Sequence, residues 1–283
     1  DMLRALWGLD APLFPNQYLT YLWNLVTWQY GYDFSTPPQP IAEQMAWRLR
    51  NTVFLLGTAL VATIAIGLPL GVLAAQRRGG KLDITVIGIG LFTWGLPLFF
   101  VQLLFLLIFA YYMKMTFGFQ LIPFGGIVSR NPPKDPVGYL LDLLWHAAAP
   151  IITLVIGGFG SWALYTRNLM VDALTEDFIL TAKAKGLKER DILYKHAFRS
   201  ILPPVATMIA MSVPGIVTGA VITESIFSYP GIGQWYITAL NTGNHPVTQA
   251  VLYNYAVLMI LANLISDVLY GFLDPRIRVG VRR

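Results

Sequence analysis

Cysteine is absent from the 283 residues, and histidine occurs only at His146, His196 and His245. That excludes disulfides and thiolate metal sites and leaves redox or metal chemistry little to work with. Charge is scarce as well. Asp, Glu, Lys and Arg make up 12% of the chain against 55% hydrophobic residues, and the mean hydropathy is +0.57. So little charge cannot coat a soluble globule, and the composition is that of an integral membrane protein. Phosphate-binding loops are also missing. Gly79-Gly80-Lys81-Leu82 lacks both the upstream glycine spacing and the Ser or Thr that would hold phosphate and Mg²⁺. No His-Glu-x-x-His motif and no nucleophile elbow occurs. The chain is not read as an enzyme, and ATP hydrolysis is excluded.

What is present is a series of windows free of charge over most of their length. They run over 51–76, 84–113, 143–166 and 200–223, with a fifth inside 248–272. Each can cross a hydrocarbon core of about 30 Å at about 1.5 Å per residue. No stretch alternates with period two, so helices rather than a barrel are expected to satisfy the backbone in lipid. Gly67-Leu68-Pro69-Leu70-Gly71, Gly95-Leu96-Pro97, Gly157-Gly158-Phe159-Gly160-Ser161 and Pro214-Gly215 with Gly219 predict close helix approach and kinks.

Cations set the orientation. Arg77, Arg78 and Lys81 follow the first window, seven Lys and Arg follow the third, and Arg276, Arg278, Arg282 and Arg283 follow the fifth. These are the expected cytoplasmic sides. The stretch 225–247 carries no Lys or Arg, and Lys114, Arg130 and Lys134 are spread over a longer loop, so both should face outward. With the C-terminus inside, five spans leave residues 1–50 outside, and a further segment is expected ahead of Asp1. The aromatic cluster Tyr18, Tyr21, Trp23 and Trp28 in that segment fits an interfacial belt or a landing surface for a delivering protein.

The longest polar stretch, 167–204, holds those seven cations and five acids and must lie in water. Its signals predict two short helices meeting at a glycine. Thr175 is placed to cap the first, Glu176 and Asp177 suit its positive end, and Lys183 and Lys185 suit its negative end. Gly186 ends it in a left-handed cap. The second carries Leu187, Ile192, Leu193, Tyr194 and Phe198, up to Pro203-Pro204.

The run Thr181-Ala182-Lys183-Ala184-Lys185-Gly186-Leu187, then His196-Ala197-Phe198-Arg199 and Leu202-Pro203, resembles the cytoplasmic coupling loop of permease subunits of ATP-binding cassette importers in the peptide/nickel branch. The general pattern is Glu-Ala-Ala, three residues, Gly, nine residues, Ile, one residue, Leu-Pro. Here Leu180 and Thr181 stand where Glu and the first Ala would be. Gly186 to Pro203 is also four residues longer, about one helical turn. The resemblance extends from about Leu9, through Tyr30-Gly31-Tyr32-Asp33-Phe34-Ser35, to Asp274-Pro275-Arg276.

It implies an all-α polytopic helical bundle of the importer permease type, with five spans in this chain and a sixth ahead of Asp1. Residues 1–50 would be external, 51–273 the transmembrane domain with coupling loop 167–204, and 274–283 a cytoplasmic tail. Implied partners are a second, similar permease, two ATPase subunits that bind ATP and Mg²⁺, and an extracytoplasmic substrate-binding protein, in the plasma membrane of a prokaryote. No cofactor in this chain and no nucleic acid is implied. The cargo would be peptides, with oligosaccharides or a nickel complex as alternatives. The coupling contact falls on Thr181, Ala182, Ala184, Lys185, Gly186, Leu187, Glu189, Arg190, His196, Arg199 and Pro203. A secondary transporter or channel working alone is the competing class, expected to show paired mid-membrane ionisable residues and an inverted repeat.

Two acids lie at membrane depth. Asp267 is expected near the cytoplasmic boundary. Glu224 precedes Ser225-Ile226-Phe227-Ser228-Tyr229-Pro230-Gly231, a break that resembles the family's external turn. It is read either as a hydrogen-bonding brace or, with Tyr229, Pro230 and Gly231, as part of the pathway or gate.

Overall fold

A computed structural model describes residue 10 and residues 12–218 and 220–273. The tail with Asp274-Pro275-Arg276 and its cations lies outside the described residues, as do Gly219 and the first residues of the external segment. The described residues form helices joined by turns and no strand, only an isolated bridge between Tyr32 and Pro40. In order they are α1 (Tyr18–Val26), α2 (Ile41–Gln76), α3 (Lys81–Gly95), α4 (Leu98–Phe117), α5 (Pro136–Leu174), α6 (Asp177–Ala184), α7 (Phe198–Thr218), α8 (Val221–Ile226), α9 (Ile232–Asn241) and α10 (His245–Leu273). Among them, five helices are long and apolar enough to cross a membrane, matching the five windows.

The centre of the bundle is the α2–α5 pair, with α3 laid on α5 and α10 on α7. Small residues permit this packing. A Cβ placed on Gly67 would lie 2.6 Å from the Cβ of Trp162, and one on Gly160 would lie 2.6 Å from the Cα of Gly90. In a medium where burial of apolar surface drives nothing, such close approach supplies the association energy.

Three boundaries differ from expectation. The second window divides at Leu96-Pro97, where Leu96 is extended (φ −83°, ψ 134°). The ring of Pro97 disfavours helical geometry in the residue before it, although hydropathy runs on unbroken. The fourth window breaks at Ala220 (φ −109°, ψ 73°), leaving α8 a separate turn. Pro203-Pro204, expected to close the polar segment, lie inside α7. The helical path is continuous from Glu189–Asp191 through a π-helical turn at Ile192–Ala197 into the span. Buried Ile201 and Val205 flank the two prolines and hold them in the helix by tertiary packing.

Residues 27–40 form a polar turn at the N-terminal end of α2. The Asp33 carboxylate accepts hydrogen bonds from Ser35, from the Gln39 N–H at 2.7 Å and from Gln44 Nε2 at 2.9 Å. Burial pushes its pKa up, but these donors outweigh burial and the value is lowered. The α1 aromatics Tyr18, Tyr21 and Trp23 are exposed.

Candidate functional site

The candidate residues gather at two ends of the bundle, called inner and outer here for the sides on which the cation distribution is expected to place them. At the inner end Glu176 is the N-cap of α6, and its side chain makes no capping bond. Thr175, expected to cap α6, instead sits just past Leu174 as the C-cap of α5, where its hydroxyl donates to the Asp172 carbonyl at 2.7 Å. The far end of α6 follows expectation. Gly186 has φ +72°, its N–H donates to Lys183 O at 2.9 Å, and Leu187 N–H donates to Ala182 O at 3.3 Å. This pair of bonds is the Schellman closure, which needs a residue free to adopt the left-handed conformation.

The segment is not a free loop. Ile179 and Ala182 of α6 join Ile192, Leu193 and Ala197 in one apolar cluster with Val72 and Met170 from the inner ends of α2 and α5. Of the expected contact residues, Ala182 is therefore buried, at 4% exposure, and serves as an anchor. His196 and Pro203 are half-buried. Thr181, Ala184, Lys185, Gly186, Leu187, Glu189, Arg190 and Arg199 stay exposed on the outer side of the same turn. Lys195 pairs with Asp191 at 2.8 Å and lowers the pKa of that carboxyl.

Beside this segment lies a pair that sequence reasoning missed. Asp83 is 2% exposed, and Arg167 grips it with two bonds of 2.8 Å, from Nε and from one terminal nitrogen. The Gly79 N–H adds a third at 2.8 Å. Arg167 holds the carboxyl down to about 2, with help from the Gly79 N–H and the Arg78 charge. The pair ties the Arg77–Gly80 turn and the start of α3 to α5. Arg167 was visible in the sequence only as one cation among seven, and a partner 84 residues away leaves no local signal.

At the outer end Glu224 is fully buried. Its carboxylate accepts from Thr52 Oγ at 2.7 Å, from Gly233 N–H at 2.8 Å and from Gln234 N–H at 3.0 Å. Gly233 and Gln234 open α9, so Glu224 satisfies N–H groups that the first turn of a helix cannot pair internally. Thr52 Oγ also accepts from Ile232 N–H at 2.9 Å, and Asn51 donates to the Pro230 carbonyl at 3.0 Å. A Cβ on Gly231 would collide with the Glu224 carboxylate. Tyr229 is fully buried too, and Gln102 of α4 donates to Thr223 at 2.8 Å. Glu224, Tyr229, Pro230 and Gly231 are thus brought together, in a buried turn latched to α2. Its hydrogen bonds join the turn to α2 and to the first turn of α9. In α10, Asp267 is exposed.

Residues 67–279 match the family described as binding-protein-dependent transport system inner membrane component. The chain is 33% identical over 98% of its length to the dipeptide transport system permease protein DppB of Escherichia coli (strain K12), covering 84% of that protein. It is 32% identical over 96% of its length to the oligopeptide transport system permease protein AppB of Bacillus subtilis (strain 168), covering 82%. Chains of the methionine ABC transporter MetNI in inward facing conformations share the fold, with a TM-score of 0.63 at 19% identity over 83% of this chain and 99% of theirs.

The fold and the sequence together define a multi-pass membrane transport component rather than an enzyme. This chain belongs to the inner membrane permease family of binding-protein-dependent ATP-binding cassette importers, among its peptide permeases.

Proposed function

We propose that this chain forms half of the translocation pathway of an ATP-driven peptide importer, the other half coming from a second permease. Two ATPase subunits, which bind ATP and Mg²⁺, dock on 177–199 from the cytoplasm, and an extracytoplasmic binding protein delivers the cargo. One observation carries the coupling role. The turn from Thr181 to Arg190 presents polar and charged side chains outward while buried Ile179, Ala182, Ile192 and Leu193 fix it to the ends of α2 and α5. A push on that turn therefore moves two spans as a unit. The peptide cargo is supported by the relatives named above, whose transport systems are for dipeptides and oligopeptides.

The test is reconstitution of the whole complex in proteoliposomes. ATP-dependent accumulation of a labelled di- or tripeptide supports the reading, and accumulation independent of ATPase subunits would replace it with a transporter acting alone. Orientation is tested separately. A tag in the Gly79-Gly80 turn or after Arg283 should be shielded from a membrane-impermeant reagent in intact cells, and one at Asn131 should react. Labelling of the Gly79 turn from outside would overturn the topology.

A further inference from the structure

The outer end holds a cation that the brace does not use. Arg48 lies on α2 one turn before Asn51 and Thr52, the residues that latch the external turn. Its guanidinium carbon stands 4.5 Å from the ring centre of Trp47 and 5.0 Å from that of Trp235 on α9. Its Nε is buried and has no hydrogen-bond acceptor. Among the described residues no carboxylate lies within ion-pair distance of it. Glu224 acts on it through space, while that carboxylate's own hydrogen bonds go to Thr52, Gly233 and Gln234.

A buried donor without an acceptor is uncommon and calls for a physical reason. Aromatic faces orient a guanidinium and lessen the cost of partial burial, but they offer its N–H groups no acceptor of carboxylate strength. The two walls differ in burial, Trp47 being exposed and Trp235 buried. Trp47 neighbours Arg48 on the rigid α2, and Trp235 sits on the helix whose first turn Glu224 holds. The result is a guanidinium with its charge unpaired and its two terminal nitrogens as the donor pair left for a ligand, about seven residues inside the outer start of α2 and above the charge-free stretch. The ligand chemistry that fits is a planar anion accepting two parallel N–H bonds, which is a carboxylate. An importer that accepts peptides of varied sequence must recognise what all of them share, and the terminal carboxylate is the anionic part of that common set.

We propose that Arg48, held between Trp47 and Trp235, receives the C-terminal carboxylate of the peptide at the outer mouth of the pathway. The assignment rests on the peptide-import reading above. The assembled complex in lipid nanodiscs is titrated with trialanine and with trialanine amide, using saturation-transfer NMR to follow binding, for the wild type, Arg48→Gln and Arg48→Lys. Wild type is expected to bind trialanine about tenfold more tightly than the amide, the order of one charge-assisted fork. Arg48→Gln should weaken trialanine to the level of the amide and leave the amide unchanged. Arg48→Lys, which keeps the charge but loses the planar fork, should fall between the two. If Arg48→Gln does not assemble, Arg48→Lys carries the comparison.

Equal weakening of both ligands would make Arg48 a brace, and no weakening of either would remove it from binding. Either result overturns the assignment. A carboxylate supplied by a neighbouring protein would show as loss of assembly in both variants with no preference of the wild type for trialanine over the amide, and would overturn it too. ATP-driven uptake of trialanine by wild-type proteoliposomes separates the two levels. With uptake intact, a negative titration sinks the Arg48 assignment alone. Without uptake, the peptide-import reading falls and takes the assignment with it.

Discussion

The two ends of this bundle are held by opposite means. At the outer end the charge lies inside: Glu224 is buried and its carboxylate is occupied by Thr52, Gly233 and Gln234. At the inner end the apolar residues lie inside and most of the charge is outside, with Ile179, Ala182, Ile192 and Leu193 buried beneath exposed Lys185, Glu189 and Arg190. A buried, fully bonded carboxylate fixes one geometry and leaves nothing to offer a partner. An apolar anchor under an exposed polar turn leaves its outer surface free for one. The difference teaches where a docking surface should be sought, which is the inner end.

The largest effect should come from breaking the outer latch. Glu224→Leu would strand the Thr52 hydroxyl and two backbone N–H groups, each costing about 1–3 kcal/mol when buried without a partner. Thermal unfolding of the complex should drop by several degrees or assembly should fail. Glu224→Gln keeps the shape and one good acceptor, so it should assemble with a smaller loss of about 1–3 kcal/mol. Uptake measured in that variant separates the two roles. Unchanged uptake leaves Glu224 a brace, whereas slowed uptake with normal assembly and ATPase binding gives its charge a part in the pathway.

Next in size is the inner ion pair. Asp83→Asn should destabilise by about 3–5 kcal/mol, because it leaves Arg167 without its counter-charge. The pH dependence has a definite sign. The Asp83 carboxyl lies below its usual 3.8, at about 2, so its contribution is complete above the usual value and is lost as pH falls through about 2. Melting temperature between pH 5 and 8 should therefore show no step from this pair. A step within that range that vanishes in Asp83→Asn would contradict the assignment.

The smallest stability change, with a sharp functional one, belongs to Gly186→Val. An added Cβ there meets nothing within 4 Å, so the cost is the left-handed backbone alone, about 1–2 kcal/mol. The protein should fold, yet ATP hydrolysis should run without matching peptide uptake, or the ATPase subunits should dissociate. Normal uptake per ATP would count against the turn as the coupling element.

How much was legible in the sequence differs between the ends for the same reason. The spans were readable because a charge-free window is a local property, and Gly186 was readable because a left-handed cap is set by its own chain neighbours. The break at Leu96-Pro97 lay in plain view as a proline, but hydropathy averages across it. Thr175 has the chemistry of a cap, and only the true end of α5 shows that its hydroxyl turns back to Asp172. The Glu224 latch depends on Thr52, 172 residues away, and on backbone N–H groups that carry no residue signature. Arg48 against Trp235 and Asp83 against Arg167 are likewise long-range pairings. Chemistry that joins distant segments becomes visible only once the fold brings them together.

The absence of native cysteine makes the central claim directly measurable. In the assembled complex a single Lys188→Cys, on the exposed turn after Gly186, should cross-link to an ATPase subunit with a short bifunctional reagent, and Asn131→Cys should not. Cross-linking of Asn131→Cys to the ATPase, or none at Lys188→Cys in a complex that still hydrolyses ATP and imports peptide, would contradict the account.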